Sequence, residues 1–225
     1  EQPANVVWNC IVRRLTEIDS LRGLAAVAVM GFHFTTKYDE IYHFSSELPF
    51  HVPWGYLGVN LFFVISGFVI FMTLDRTRIG TDFVVSRFSR LYPAYWAAIA
   101  LTFCITSLLG LPGKEVSWHT ALLNIPMFQL LFSIPSVDSV YWTLLVELLF
   151  YGLAYALFAT RRMHQVLQAL CALFALRLIY WGFAEFTHVD LPWRIKQLLV
   201  LDYIPFFGLG IVAFRLVHRR GRLPI

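Results

Sequence analysis

Charge is what this chain has least of. Only 14% of its 225 residues are charged, against 58% hydrophobic and 17% aromatic, where a soluble domain carries about 25% charged residues. That leaves too little polar surface to clothe a water-soluble globule, and the mean hydropathy of +0.65 agrees. Cysteine is also sparse. Cys10, Cys104 and Cys171 stand far apart without CxxC spacing, which argues against a disulfide framework and leaves them as small apolar residues. No GxSxG elbow surrounds Ser66, so serine-hydrolase chemistry has little support. No His/Asp/Glu set shows metal-ligand spacing, so no metal site is expected. Internal repeats and low-complexity linkers are missing too, and the chain reads as one domain, residues 1–225. The net charge of +4 does not point to nucleic acid, because the bases punctuate the ends of apolar runs instead of gathering on one segment.

Long apolar runs are what the sequence has instead. "LGVNLFFVISGFVIFMTL" (57–74), "YPAYWAAIALTFCITSLLGL" (92–111) and "VYWTLLVELLFYGLAYALFA" (140–159) are each near the roughly 20 residues needed to cross a hydrocarbon core as a helix. A first run ends near His33, and two more follow around 166–184 and 197–217. Segment 119–134 is short and holds Asn124 and Pro126, so it reads as a partial or re-entrant piece. The expected fold is therefore all-α, a polytopic membrane bundle of six full spans plus one partial segment. Arg13, Arg14 and Arg22 before the first span predict a cytoplasmic N-terminus, and Arg76, Arg78, Arg87, Arg90, Arg161 and Arg162 then fall inside as well.

Against that background a few polar residues need explaining. Arg22 and His33 are eleven residues apart in one helical run, which returns them to nearly the same face, about 16 Å apart along the axis. Asp19, Ala26 and Val29 share that stripe. Ionisable groups inside a membrane helix are functional candidates by default, although Arg22 also fits a topology anchor. Arg87 and Arg90 lie a turn apart in "SRFSR" and suit either phosphate recognition or lipid headgroups. Glu147 sits inside a span, where a carboxylate must be paired or protonated. It can orient a histidine, accept a proton or pair with Arg177. Gly58, Ser66 and Gly67 in "GVNLFFVISGF" suit tight helix packing.

The blocks "IDSLRGLAAVAVMGFHF", "GVNLFFVISGFVI", "RFSRLYPAYW" and "YWTLLVELLFY" follow one another over residues 18–151. Together they resemble the signature of the membrane-bound acyltransferase-3 family, which O-acylates bacterial cell-surface glycans, Nod factors and some antibiotics. "FFGLGIVAFRL" (206–216) resembles a later family helix. The resemblance implies roles. The family's arginine–ten residues–histidine motif matches Arg22 and His33, the histidine being the catalytic base. Its arginine–two residues–arginine motif matches Arg87 and Arg90, tied to acyl-coenzyme A. Its tryptophan–Ser/Thr–leucine–two residues–glutamate block matches Trp142, Thr143, Leu144 and Glu147, with threonine in place of the commoner serine.

Taken together, His33 and Glu147 are the expected catalytic pair, His33 as the base and Glu147 either orienting it or helping to bind the acceptor. Arg22, Arg87 and Arg90 bind the acyl-CoA, with Asp19, Trp142 and Thr143 in support. The expected partners are membrane lipid, an acyl-CoA donor (acetyl-CoA as co-substrate, no bound cofactor) and a glycan or small-molecule hydroxyl acceptor. The expected location is the bacterial inner membrane. Family members usually carry more spans than the six counted here, which implies a form shortened toward the C-terminus. Two alternatives stay open, a non-catalytic member of the family and a secondary transporter, although the transporter's inverted repeats are not visible.

Overall fold

The computed structural model describes residues 15–42, 50–110, 116–188 and 193–219. Cys10, Arg13, Arg14, His43 and the basic residues beyond position 219 lie outside them. The described residues are mostly helical and contain no strand. Helix α1 (Thr16–Phe32) runs through a π turn (His33–Lys37) into α2 (Tyr38–Tyr42), and a 3-10 turn (Pro53–Tyr56) leads into α3 (Leu57–Arg76). After α4 (Gly80–Leu109) and the short α5 (Trp118–Asn124), 3-10 turns lead to α6 (Trp142–Ala159). The chain closes with α7 (Val166–Thr187), α8 (Trp193–Leu198) and α9 (Ile204–Arg219). This is an all-helical membrane bundle.

Among the described residues, four stretches are long and apolar enough to cross a membrane: Pro53–Arg76, Gly80–Leu109, Ser139–Ala159 and Met163–Thr187. Of the six full spans expected, the first run and 197–217 fall short of that length and apolarity, each for a physical reason. Helix α1 spends its first two turns on Glu17, Asp19 and Arg22. The run 197–217 is broken at 199–203, where Val200 takes a positive φ of 53°. Helix α9 restarts only at Ile204, with Pro205 in its first turn, a position where proline's missing N–H costs nothing. What remains of that run is a shorter apolar helix, Ile204–His218.

Helix α3 is the axis of the bundle, with α1, α6 and α9 packed on it. Its glycines make this possible. A Cβ on Gly67 would collide with the Phe207 carbonyl of α9, and one on Gly210 of α9 with the Val64 carbonyl of α3. Gly55 and Gly58 likewise receive the Ala28 and Ala25 carbonyls of α1. In a bilayer, where lipid is as apolar as leucine, such backbone-to-backbone approach is what holds helices together. The apolar core at this crossing includes Phe63, Ile70, Val146, Phe150, Phe207 and Ile211.

Helix α4 is longer than a span requires. Its 30 residues run unbroken through Pro93 to Gly110, whose φ of 57° ends it, so the stretch around Arg87 and Arg90 is the first part of this helix. The partial segment is real. Beyond α5 it is irregular, and α4 satisfies its backbone. The hydroxyls of Tyr92 and Tyr95 donate to the carbonyls of Pro126 (3.1 Å) and Asn124 (2.7 Å), and Trp96 Nε1 donates to that of Ile125 (3.1 Å). The buried Asn124 amide donates to the carbonyls of Thr120 and Pro135, and its oxygen accepts from Val137 N. Non-helical backbone is tolerated in such surroundings only where protein satisfies it.

Candidate active site

One cavity of about 800 Å³ opens between α1, α3, α4 and α6. Helix α1 supplies Arg22, Val29 and, at the first position of its π turn, His33. Helix α3 and the turn before it supply Tyr56, Asn60, Phe63 and Ser66; α4 gives Arg90 and Leu91; α6 gives Trp142, Thr143, Glu147 and Tyr151. Residues more than a hundred positions apart thus meet at one concave surface, apolar in body with a few polar groups. That is the usual make-up of a small-molecule site.

Local chemistry explains how the π turn is held. Such a turn leaves helical carbonyls out of register and is common at functional positions. Here the Thr35 hydroxyl donates to the Gly31 carbonyl at 2.7 Å, and Val52 N donates to the hydroxyls of Thr35 (3.1 Å) and Thr36 (3.2 Å). The segment leading to Pro53 is thereby pinned to the turn that carries His33. The imidazole itself is exposed to the cavity and meets the Phe32 ring edge-on at 5.4 Å.

Charge in the cavity is arranged around two arginines, Arg22 and Arg90, and one carboxylate, Glu147. Arg22 is held by Asp19 at 3.4 Å, and Arg90 and Glu147 both lie close enough for their charge to act on it. Glu147 accepts from the Ser66 hydroxyl at 2.9 Å and from the Tyr151 hydroxyl, both on Oε1. The pairing of Glu147 with Arg177, open from the sequence, does not form. Arg177 on α7 has no partner among the described residues, and its Nε is buried without a hydrogen bond. Trp142 stacks toward Tyr203 at 5.3 Å, and the Thr143 hydroxyl donates to the Val140 carbonyl at 3.1 Å.

Six of the eight residues singled out from the sequence therefore line the cavity: Arg22, His33, Arg90, Trp142, Thr143 and Glu147. Asp19 stands behind Arg22. Arg87 does not line the cavity, because its guanidinium turns toward α3, donating to Thr73 Oγ1 at 3.1 Å and lying over the Phe83 ring. It stands beside the Tyr151 hydroxyl. Ala26, on the expected stripe, faces outward. Ser66, read from sequence as a packing residue, and Tyr151, given no role, are the functional candidates that sequence reasoning missed. Tyr151 is one helical turn beyond Glu147, so the i, i+4 rule could have found it. No cluster of three His, Cys, Asp or Glu able to hold a metal exists among the described residues.

A family model described as an acyltransferase domain, acyltransferase 3, matches residues 15–224. The chain belongs to the acyltransferase-3 family. Among its relatives are the exopolysaccharide production protein ExoZ of Rhizobium meliloti and the peptidoglycan O-acetyltransferase OatA of Listeria monocytogenes. ExoZ is 31% identical over 120 residues, covering 50% of this chain and 37% of ExoZ. OatA is 28% identical over 153 residues, covering 60% of this chain and 22% of OatA. Protein 2 in the picA locus of Rhizobium radiobacter is 34% identical over 114 residues, 47% of this chain and 54% of that protein. The chain thus spans well under two thirds of the length of each. No solved structure matches it.

Proposed function

We propose that this family member is an integral membrane O-acyltransferase that moves an acyl group, acetyl in the simplest case, from acyl-CoA to a hydroxyl of a cell-surface or lipid-linked carbohydrate. One observation carries the reading: Arg22, His33, Arg90 and Glu147, from three helices, converge with Trp142 and Thr143 on a single cavity. The names of ExoZ and OatA, one tied to exopolysaccharide and one to peptidoglycan O-acetylation, support the carbohydrate acceptor. The location that goes with this reading is the bacterial inner membrane, with the N-terminus cytoplasmic.

The donor enters from the cytoplasm with its phosphates toward Arg90 and Arg22, whose forked donors match phosphate geometry. Asp19 fixes the Arg22 head. The pantetheine arm passes the apolar wall of Val29, Val59 and Phe63 and brings the thioester to His33. Imidazole is the side chain suited to general base catalysis near neutral pH. It takes the acceptor hydroxyl's proton as the oxygen bonds to the thioester carbonyl carbon. The tetrahedral intermediate then collapses, the C–S bond breaks, and the departing CoA thiolate recovers the proton from the imidazolium. Arg87 acts from behind the cavity wall, through Tyr151 and Thr73, and not as a direct phosphate ligand.

The test is transfer of labelled acetyl from acetyl-CoA to total cell-surface glycan by membranes holding the chain, beside His33→Ala at equal expression. Label that depends on His33 is expected. No label above the variant, from inserted and folded protein, overturns the reading in favour of a non-catalytic or transport role.

A further inference from the structure

Glu147 is hydrogen-bonded in a lopsided way. Both of its protein partners, the hydroxyls of Ser66 on α3 and Tyr151 on its own helix, donate to the same oxygen, Oε1. Among the described residues Oε2 has no partner, and it is not sealed from the cavity that Glu147 lines. A carboxylate offers about four lone-pair sites, so the protein occupies one side and leaves the other open. The two donors are themselves well fixed. Ser66 is 9% exposed and sits next to Gly67 at the tight α3–α9 crossing. Tyr151 is 5% exposed, with its ring edge against Phe83 and its hydroxyl beside Arg87, which Thr73 holds at 3.1 Å.

We infer that Ser66 and Tyr151 are positioning residues that lock Glu147 through Oε1, so that Oε2 receives a hydrogen bond from a hydroxyl of the acceptor. This deepens the acyltransferase reading and rests on it. The geometry divides the cavity: cationic Arg22 and Arg90 suit the anionic donor, and the free carboxylate oxygen suits a neutral polyol carrying O–H donors. A carboxylate there repels the phosphates of CoA, so Glu147 and its two clamps belong to the acceptor side. Nothing covalent is asked of Glu147; the proton of the reacting hydroxyl goes to His33.

The experiment is steady-state kinetics with purified, detergent-solubilised chain, labelled acetyl-CoA and a soluble digest of host cell-wall glycan. Ser66→Ala and Tyr151→Phe each remove one hydroxyl and keep the packing shape. Each is expected to lower kcat/KM for the glycan by roughly ten- to hundredfold, the size of one hydrogen bond to a charged group. The KM for acetyl-CoA stays within about twofold, because a lost clamp misplaces only the acceptor. Ser66→Thr restores most of the activity, since it keeps a hydroxyl. An equal rise in both KM values, or failure of Ser66→Thr to recover, means collapse of the cavity and overturns the positioning role. Wild-type rates in both hydroxyl-less variants overturn it as well. No transfer even by the unmutated chain sinks the acyltransferase reading, and the inference with it.

Discussion

Helices α3 and α7 look alike in the sequence, and the protein uses them in opposite ways. Both belong to stretches long and apolar enough to cross a membrane. Yet 44% of the most apolar part of the α3 stretch is buried inside the protein and only 6% of that of the α7 stretch. Hydropathy reports transfer into hydrocarbon and is blind to whether that hydrocarbon is lipid or protein. What separates the two is where small residues meet a neighbour. Gly58 and Gly67 of α3 abut the backbones of α1 and α9, whereas a Cβ at Gly182 of α7 would meet open space. The catalytic candidates follow the same division: the cavity opens beside α3, and α7 contributes nothing to it.

The largest effect expected from this contrast is on chemistry. His33→Ala, on the cavity side of α1, lowers acetyl transfer by about 10²–10⁴-fold, the contribution of a positioned general base. Arg177→Leu on α7 leaves the rate within about twofold. Both are read in the same labelled-acetyl assay. A comparable loss in Arg177→Leu would break the contrast by drawing α7 into the site.

The next effect is on stability. Gly67→Ala puts a methyl group against the Phe207 carbonyl, a backbone atom that cannot swing aside, and overpacking of this kind costs about 1–3 kcal/mol. A lower Tm of the detergent-solubilised protein, followed by size-exclusion recovery after heating, is expected. Gly182→Ala sharpens the comparison with the opposite sign. The new methyl group meets open space, and replacing helical glycine gains roughly 0.5–1 kcal/mol, so its Tm is expected to stay level or rise. If the two variants shift Tm alike, glycine contact is not what distinguishes the helices.

Much of this was legible in the residues. The spans over α3, α4, α6 and α7 follow from apolar runs of the right length. The common face of Arg22 and His33 follows from helical periodicity. Asn124 and Pro126 correctly mark a segment that does not cross as a helix. The break before α9 was also visible, in Asp202 and Pro205 inside the run 197–217, but hydropathy averaged over it. Arg87 and Arg90 show the limit of spacing. Positions three apart lie about 60° from alignment on a helix, enough for α3 to capture one through Thr73 and leave the other in the cavity. Ser66 was beyond reach, because its bond to Glu147 joins residues 81 positions apart and depends on how α3 and α6 pack.

Arginine extends the comparison to its smallest predicted effect. Arg22 and Arg177 both interrupt apolar helices, but Arg22 has Asp19 at 3.4 Å on its own helix and Arg177 has no partner among the described residues. The Asp19–Arg22 pair is partly open, with side-chain exposures of 42% and 23%, so solvent screens it and its strength is that of a surface pair, about 0.2–1 kcal/mol. Asp19→Asn therefore loosens the Arg22 head without removing it. The KM for acetyl-CoA is expected to rise by no more than about fivefold at low salt, with kcat unchanged, since the pair acts on donor binding and not on proton transfer. Added salt should shrink the difference between variant and wild type. A fall in kcat at saturating donor would instead tie Asp19 to the step at His33, about four turns further along the same helical run.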